Sequence, residues 1–336
     1  MRTAVNTRKL VGALAAVAVL VAATAILGPA LGRSESSGAD SVSAAARSAH
    51  AAGHASTRGH ASTLNAPRSA PARPVPRLLV SAPTHATVGW RTIVKVHGQP
   101  AAWLAQRSGV TLMRFDQRFL HLDLHAGSLD GGASGWRYGN QITPREIHLV
   151  VAAFNGGFKL TYPNTGFMSG GHVAAPLKPG LASIVTYTDG TTDIGAWGAG
   201  VPSAHEAVYS ALQNQQLLVD HGLAAVSAAG CVTACWGGTV GGRTAVPRSG
   251  LGITSNGQLV WAAGEQLLPS ELAAALLDAG AVRALELDIN PFWVAGYVYL
   301  HRPGGPLPVP VVPGQHGIAG ELLEPYTRDF LTVVAD

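Results

Sequence analysis

The sequence predicts an α+β fold, a single mixed domain dominated by strands, with a central twisted sheet and flanking helices. Three observations lead there. An unbroken apolar run, Leu149 to Phe154, suits a strand buried on both faces. Two pairs of short strand-like runs are joined by Asp189-Gly190 and Asn256-Gly257, dipeptides that fit the positive φ values of tight hairpins. Between the second hairpin and a further strand, Pro269 to Gly280 carries the apolar stripe of one helix.

The chain divides by composition. Residues 1–32 hold Arg2, Arg8 and Lys9 followed by an uncharged apolar run from Leu10 to Leu31. That is an export or anchoring segment, about as long as the roughly 20 residues a bilayer requires. Uncleaved, it is a single membrane helix with its cationic end inside; cleaved near Ala30-Leu31-Gly32, it leaves a secreted protein. Residues 33–77 are rich in Ala, Ser, His, Arg and Pro without aliphatic periodicity, which is the composition of a disordered tether. Its His50, His54 and His60 have no Cys or carboxylate at ligand spacing, so no metal is expected there.

Residues 78–336 read as the folded domain. The net charge of +4 belongs to the leader: residues 1–77 carry nine Lys/Arg against two Asp/Glu, the remainder fourteen against seventeen. A folded part with that balance lacks the basic face a nucleic-acid protein needs. Thr92 to Val96 and Phe119 to Leu124 alternate as half-buried strands. Ser128 to Gly135 is glycine-rich but lacks phosphate-loop and calcium-loop spacing. Ser183 to Thr188 and Thr191 to Gly195 form the first hairpin, Arg248 to Thr254 and Gln258 to Ala262 the second. Pro269 suits a first helical position and Gly280 a helix stop. Val282 to Leu287 is the next strand, His301 to Gly320 reads as a surface loop, and Thr327 to Val334 closes the chain as a strand. Cys231 and Cys235, the only cysteines, are expected to pair outside the cytoplasm, the small loop contributing about 2 kcal/mol.

The chemistry-bearing residues cluster at strand ends and turns. Asn155 leaves the Leu149 strand, and Gly156 and Gly157 are expected to turn through positive φ and offer amide N–H groups to an anionic ligand, with Lys159 just beyond. Arg248 can supply a bidentate clamp for a phosphate or carboxylate. Glu286 and Asp288, two apart in a strand, are expected on one face, where one carboxyl can stay protonated beside an ionised neighbour. Asn290 follows at the turn. Ser169 lies outside a GxSxG elbow and has no assignable partners, which leaves little for a serine hydrolase. No cofactor motif occurs.

Phe154-Asn-Gly-Gly-Phe158, Arg248-Ser-Gly-Leu-Gly-Ile253 and Ala284-Leu-Glu-Leu-Asp288, in that order, resemble the phosphodiester glycosidase family, from about Ile147 to the C-terminus and more loosely back to Thr84. The resemblance implies that Asn155, Gly156 and Gly157 line the site, that Arg248 is the family arginine and that Asp288 is its strand-end aspartate. The family continues in glycines and a serine, whereas this chain reads Asp288-Ile-Asn-Pro-Phe-Trp293, and Glu286 stands where an asparagine is common.

The expectation is an extracytoplasmic hydrolase acting on a sugar phosphodiester or related glycosidic bond in a cell-envelope or exported glycan. Asp288 is its leading acid or base and Glu286 its partner, while Arg248, Asn155, Gly156, Gly157, Lys159 and Asn290 bind substrate. The alternative is a non-catalytic glycan binder with Phe292, Trp293 and Trp261 as stacking platforms.

Overall fold

A computed structural model describes residues 88–129, 139–160, 164–239 and 241–335. The Leu10 to Leu31 segment and the tether lie outside these. Among the described residues no helix is long and apolar enough to cross a membrane.

In chain order the strands are β1 (Arg91–Val96), β2 (Gln99–Arg107), β3 (Val110–Phe115), β4 (Leu120–His125), β5 (Val150–Asn155), β6 (Phe167–Ser169), β7 (His172–Ala175), β8 (Ala182–Tyr187), β9 (Thr192–Trp197), β10 (Gly200–Val201), β11 (Val208–Gln213), β12 (Leu217–Asp220) and β13 (Leu223–Ala224). The short helices α1 (Ser227–Gly230) and α2 (Val232–Trp236) follow, then β14 (Val246–Thr254), β15 (Leu259–Leu267), α3 (Pro269–Asp278), β16 (Ala281–Glu286), β17 (Gly296–Arg302), β18 (Gly305–Pro310) and β19 (Phe330–Ala335). They form an eight-stranded sheet β1-β2-β3-β15-β14-β16-β12-β13, a six-stranded sheet β10-β9-β8-β11-β6-β7 and a five-stranded sheet β18-β17-β5-β19-β4. Among the described residues only β9 and β10 pair in parallel.

The α+β expectation, with one central sheet and flanking helices, is therefore overturned: the described chain is essentially all-β. Its physical reason is what covers the sheets. Phe115, Leu251, Trp261 and Leu285 of the eight-stranded sheet share one buried cluster with Leu122, Phe154 and Leu331 of the five-stranded and Ile184, Ile194 and Leu212 of the six-stranded sheet. Sheets thus bury sheets, and α3 alone, with Leu272 and Leu276 packed on Leu112, Val260 and Ala284, does the work expected of several helices. The apolar run of β5 follows from the same packing. Phe154 faces the shared core while Val150 and Ala153 face a second cluster with Tyr297 and Phe330.

α3 forms where the residues ask for it. Glu271 Oε2 accepts the Leu268 N–H at 2.8 Å, Pro269 opens the first turn, and Gly280 follows the end at φ 90°. Two turn expectations change. Gly190 and Gly257 have positive φ, but Asp189 and Asn256 do not, so neither turn is type I′. Each is a three-residue loop closed by Gly190 N–H to Tyr187 and by Gly257 N–H to Thr254, with the glycine in the left-handed position. The His301 to Gly320 loop contains a strand, β18, whose Pro306, Pro308 and Pro310 oppose His301, Tyr299 and Tyr297 of β17. Proline is compatible with a strand at a sheet edge, where β18 lies.

Where the five- and eight-stranded sheets meet, Trp261 stacks on Phe154 at 5.4 Å between ring centres. A Cβ on Gly296 would lie 2.4 Å from the Trp261 ring. We expect Gly296→Ala to lower stability by about 1–3 kcal/mol through overpacking, read by urea unfolding; an unchanged midpoint would show that this joint is loose.

Candidate functional site

β5 ends at Asn155, which is buried between β17 and β19. Its Oδ1 accepts the Ala295 N–H at 3.3 Å, and its Nδ2 donates to Ser249 Oγ at 2.8 Å and to the Gly156 carbonyl at 2.9 Å. The carboxamide ties β5 to β14 and to the start of β17, so its hydrogen-bonding capacity is spent inside the protein. The two glycines are turned inward as well. Gly156 N–H donates to the Asp329 carbonyl at 3.0 Å and Gly157 N–H to Asp329 Oδ2 at 2.9 Å. Neither has positive φ. The expected outward cradle of amides does not form. Gly156 is required for close approach instead, since a Cβ there would sit 1.9 Å from Asp329 Oδ2. A Cβ on Gly157 would meet Asn214 no closer than 3.7 Å.

Arg248, on β14, is also internal. Its Nε donates to the Leu267 carbonyl at 2.8 Å, Nη1 to Trp236 O at 3.2 Å and to Glu286 Oε1 at 2.6 Å, and Nη2 to Thr244 O at 3.1 Å. The side chain is 1% exposed and that of Glu286 2%. Burial pushes the Glu286 carboxyl up to about 8; Arg248 offsets part of this, and the nearby charge of Asp288 adds to it. The expectation that Glu286 and Asp288 share a face fails because the regular pairing of β16 ends at Glu286: Ser249 of β14 accepts the Leu287 N–H at 2.8 Å and donates to the Asp288 carbonyl at 3.1 Å, so two residues oppose one. Past that point the period of two no longer holds, and the carboxylates enter different surroundings.

Asp288 turns into a cleft. Its Oδ1 accepts the N–H groups of Ile289 and Asn290 at 2.7 and 2.8 Å, and Oδ2 lies 3.5 Å from Arg328 Nη2. Arg328 in turn donates to the Gly157 carbonyl at 2.9 Å. The cleft, about 590 Å³, is lined on its polar side by Lys159, Arg243, Glu265, Gln266, Asp288, Asn290 and Arg328, and on its apolar side by Phe158, Val246, Pro247, Ile289, Pro291, Phe292 and Trp293. Of the residues expected from sequence, Asp288, Lys159 and Asn290 meet here. Asn155, Gly156, Gly157, Arg248 and Glu286 support the walls from behind. Asn290 shapes the turn as well, its Oδ1 accepting Phe292 N–H at 3.0 Å. Trp261 is fully buried in the core and offers no platform, whereas Phe292 is 62% exposed and Trp293 lies 6.0 Å from the Arg328 guanidinium.

Sequence reasoning missed Arg243, Glu265, Arg328 and Asp329. Arg328 and Asp329 stand just before β19 and were read only as part of a closing strand. Lys159 and Arg243 form no ion pair or hydrogen bond among the described residues, and neither does the Glu265 carboxylate. Burial raises Glu265 above the ordinary carboxyl range, His316 pulling the other way.

Cys231 and Cys235 form the disulfide, Cα–Cα 5.4 Å, which ties the residue between α1 and α2 to the last turn of α2. The next residues, Trp236 and Gly237, give a carbonyl to Arg248 and a wall to the cleft. No group of three or more metal-binding side chains occurs among the described residues.

The sequence matches no protein-family model and no curated protein. Among solved structures, the catalytic domain of zebrafish N-acetylglucosamine-1-phosphodiester alpha-N-acetylglucosaminidase, auto-inhibited by its pro-peptide, is 13% identical with a TM-score of 0.45, over 75% of this chain and 89% of that one. A hypothetical protein from Synechocystis is 14% identical with a TM-score of 0.42, over 71% of this chain and 63% of that one. Likenesses this distant leave function to be argued from the cleft itself.

The Glu286 carboxyl carries a testable pH signature. Its folded value near 8 lies above the unfolded value of 4.5, so between these limits the unfolded chain binds fewer protons and stability falls as pH rises. We expect the melting temperature to drop by at least about 3 °C from pH 5 to pH 8 through this group, and Glu286→Gln to flatten that part of the profile. Parallel profiles for the two proteins would remove Glu286 as the cause.

Proposed function

We propose that this chain is an extracytoplasmic hydrolase releasing a sugar from a phosphodiester, or a related glycosidic bond, in a cell-envelope or exported glycan. The observation that carries the reading is a carboxylate, Asp288, set in a cleft also lined by two cations, Lys159 and Arg243, that have no ion pair or hydrogen bond among the described residues. Unpaired cations beside a cleft favour an anionic ligand, and a single phosphodiester charge suits them. Asp288 is held in place by two backbone N–H groups and Arg328. Such a fixed negative charge stabilises the positive charge that builds at an anomeric carbon as its bond to oxygen breaks. Phe292 and Trp293 offer ring faces to the C–H faces of a sugar. The Cys231–Cys235 disulfide and the leader's apolar run support a site outside the cytoplasm.

Arg248, assigned to substrate by the sequence, and Glu286, assigned to catalysis beside Asp288, have no part at the reacting centre in this reading. Arg248 holds the carbonyls of Trp236 and Thr244, the latter next to Arg243. One feature favours the second reading, a glycan binder on the same fold: Pro291, Phe292 and Trp293 occupy the turn where the resembling family has glycines and serine.

We expect Asp288→Asn, whose oxygen can still accept the Ile289 and Asn290 amides, to lower sugar release by about 10²–10⁴-fold with melting unchanged. Lys159→Ala with Arg243→Ala should raise KM and weaken its dependence on salt. Equal turnover by Asp288→Asn would end the assignment of Asp288, and phosphodiester binding without any release by the wild-type chain would favour the binder.

A further inference from the structure

Two carboxylates line the cleft, and they are held differently. Asp288 has its oxygens engaged by Ile289, Asn290 and Arg328. Glu265, near the end of β15, faces the same cleft with no hydrogen bond or ion pair among the described residues. Gly314 packs beside it, since a Cβ on that glycine would touch the Glu265 Cγ and Cδ at 3.4 Å. The side chain is half-buried, and His316 is near enough to favour its charged form. Glu286 does not compete for the role, because it is sealed behind the wall against Arg248.

We propose that Glu265 is the general base of the cleft, activating the water that attacks the anomeric carbon. This rests on the phosphodiester reading above and deepens it. The choice of base over acid follows from the leaving group. An alcohol must be protonated as it departs, whereas a phosphate monoester, with a second pKa of about 6, leaves without a proton. What hydrolysis then lacks is a proton acceptor for water. In the step, the water oxygen bonds to the anomeric carbon and Glu265 takes its proton. The bond from that carbon to the phosphate oxygen breaks, and the electron pair leaves with the phosphate, facing Lys159 and Arg243. Glu265 afterwards returns the proton to solvent. A carboxylate with uncommitted lone pairs suits this task, and partial burial makes it a stronger base than an exposed one. Asp288, with its lone pairs engaged, is left as the fixed charge opposite the reacting carbon.

The test uses the full chain with methyl diesters of glucose 1-phosphate and N-acetylglucosamine 1-phosphate. Glu265→Gln should cut kcat by about 10²–10⁴-fold with KM within about twofold and the melting temperature unchanged. In Glu265→Ala, added azide should restore turnover and yield a glycosyl azide, because azide needs no base and fits the vacated space. A purely structural role would give neither rescue nor azide adduct. If the wild type releases sugar and Glu265→Gln does so at the same rate, this inference falls and the hydrolase reading stands. Loss of activity in Glu265→Ala without an azide product also overturns it. Should the wild type release no sugar from either diester while Asp288→Asn binds them equally well, the hydrolase reading fails and takes this inference with it.

Discussion

A guanidinium with no path to water organises the part of this protein that carries the cleft. Arg248 places four of its five N–H donors on the carbonyls of Leu267, Trp236 and Thr244 and on Glu286. A charge so placed is costly unless it is hydrogen-bonded in this way. Those acceptors come from the end of β15, from α2, from the segment leading into β14 and from β16. Four stretches are thereby held in one relation, and the cleft-lining residues Gly237, Arg243 and Val246 inherit their position from them. The disulfide just before Trp236 shortens the free chain that the guanidinium has to order.

Much of the strand content was legible because period and turn chemistry are local. Thr92 to Val96, both hairpins and the helix opened by Pro269 lie where their side chains ask for them. The fold class was misjudged for a non-local reason. A buried apolar run does not say whether helices or another sheet covers it, and β5 is covered by the other sheets on one face and by Ile142 and Leu322, from segments outside the strands, on the other. β18 escaped notice because three prolines in six residues argue against a strand unless it is known to lie at an edge.

The site was half legible for similar reasons. Asp288, Lys159 and Asn290 stand where a strand breaks, and strand ends are where ligands are met. Asn155, Gly156, Gly157, Arg248 and Glu286 carry the same chemical vocabulary but point inward, a distinction set by neighbours far off in the chain. Gly156 makes the point: its lack of a side chain reads as freedom to turn, while its use is to make room for Asp329, which is 173 positions away. Arg243 and Glu265 sat in stretches without a motif, and only the folded cleft brings them together with Asp288.

The prolines of β18 have an effect beyond their own hairpin. Val311 N–H bonds to the Gly296 carbonyl, so the odd-numbered residues of this strand face β17 and Pro306, Pro308 and Pro310 face outward. The open side of the five-stranded sheet therefore shows carbonyl oxygens and no amide hydrogens along that stretch. A second chain approaching to extend the sheet would find acceptors and nothing to donate, which keeps neighbouring molecules from zipping together there into aggregates or filaments.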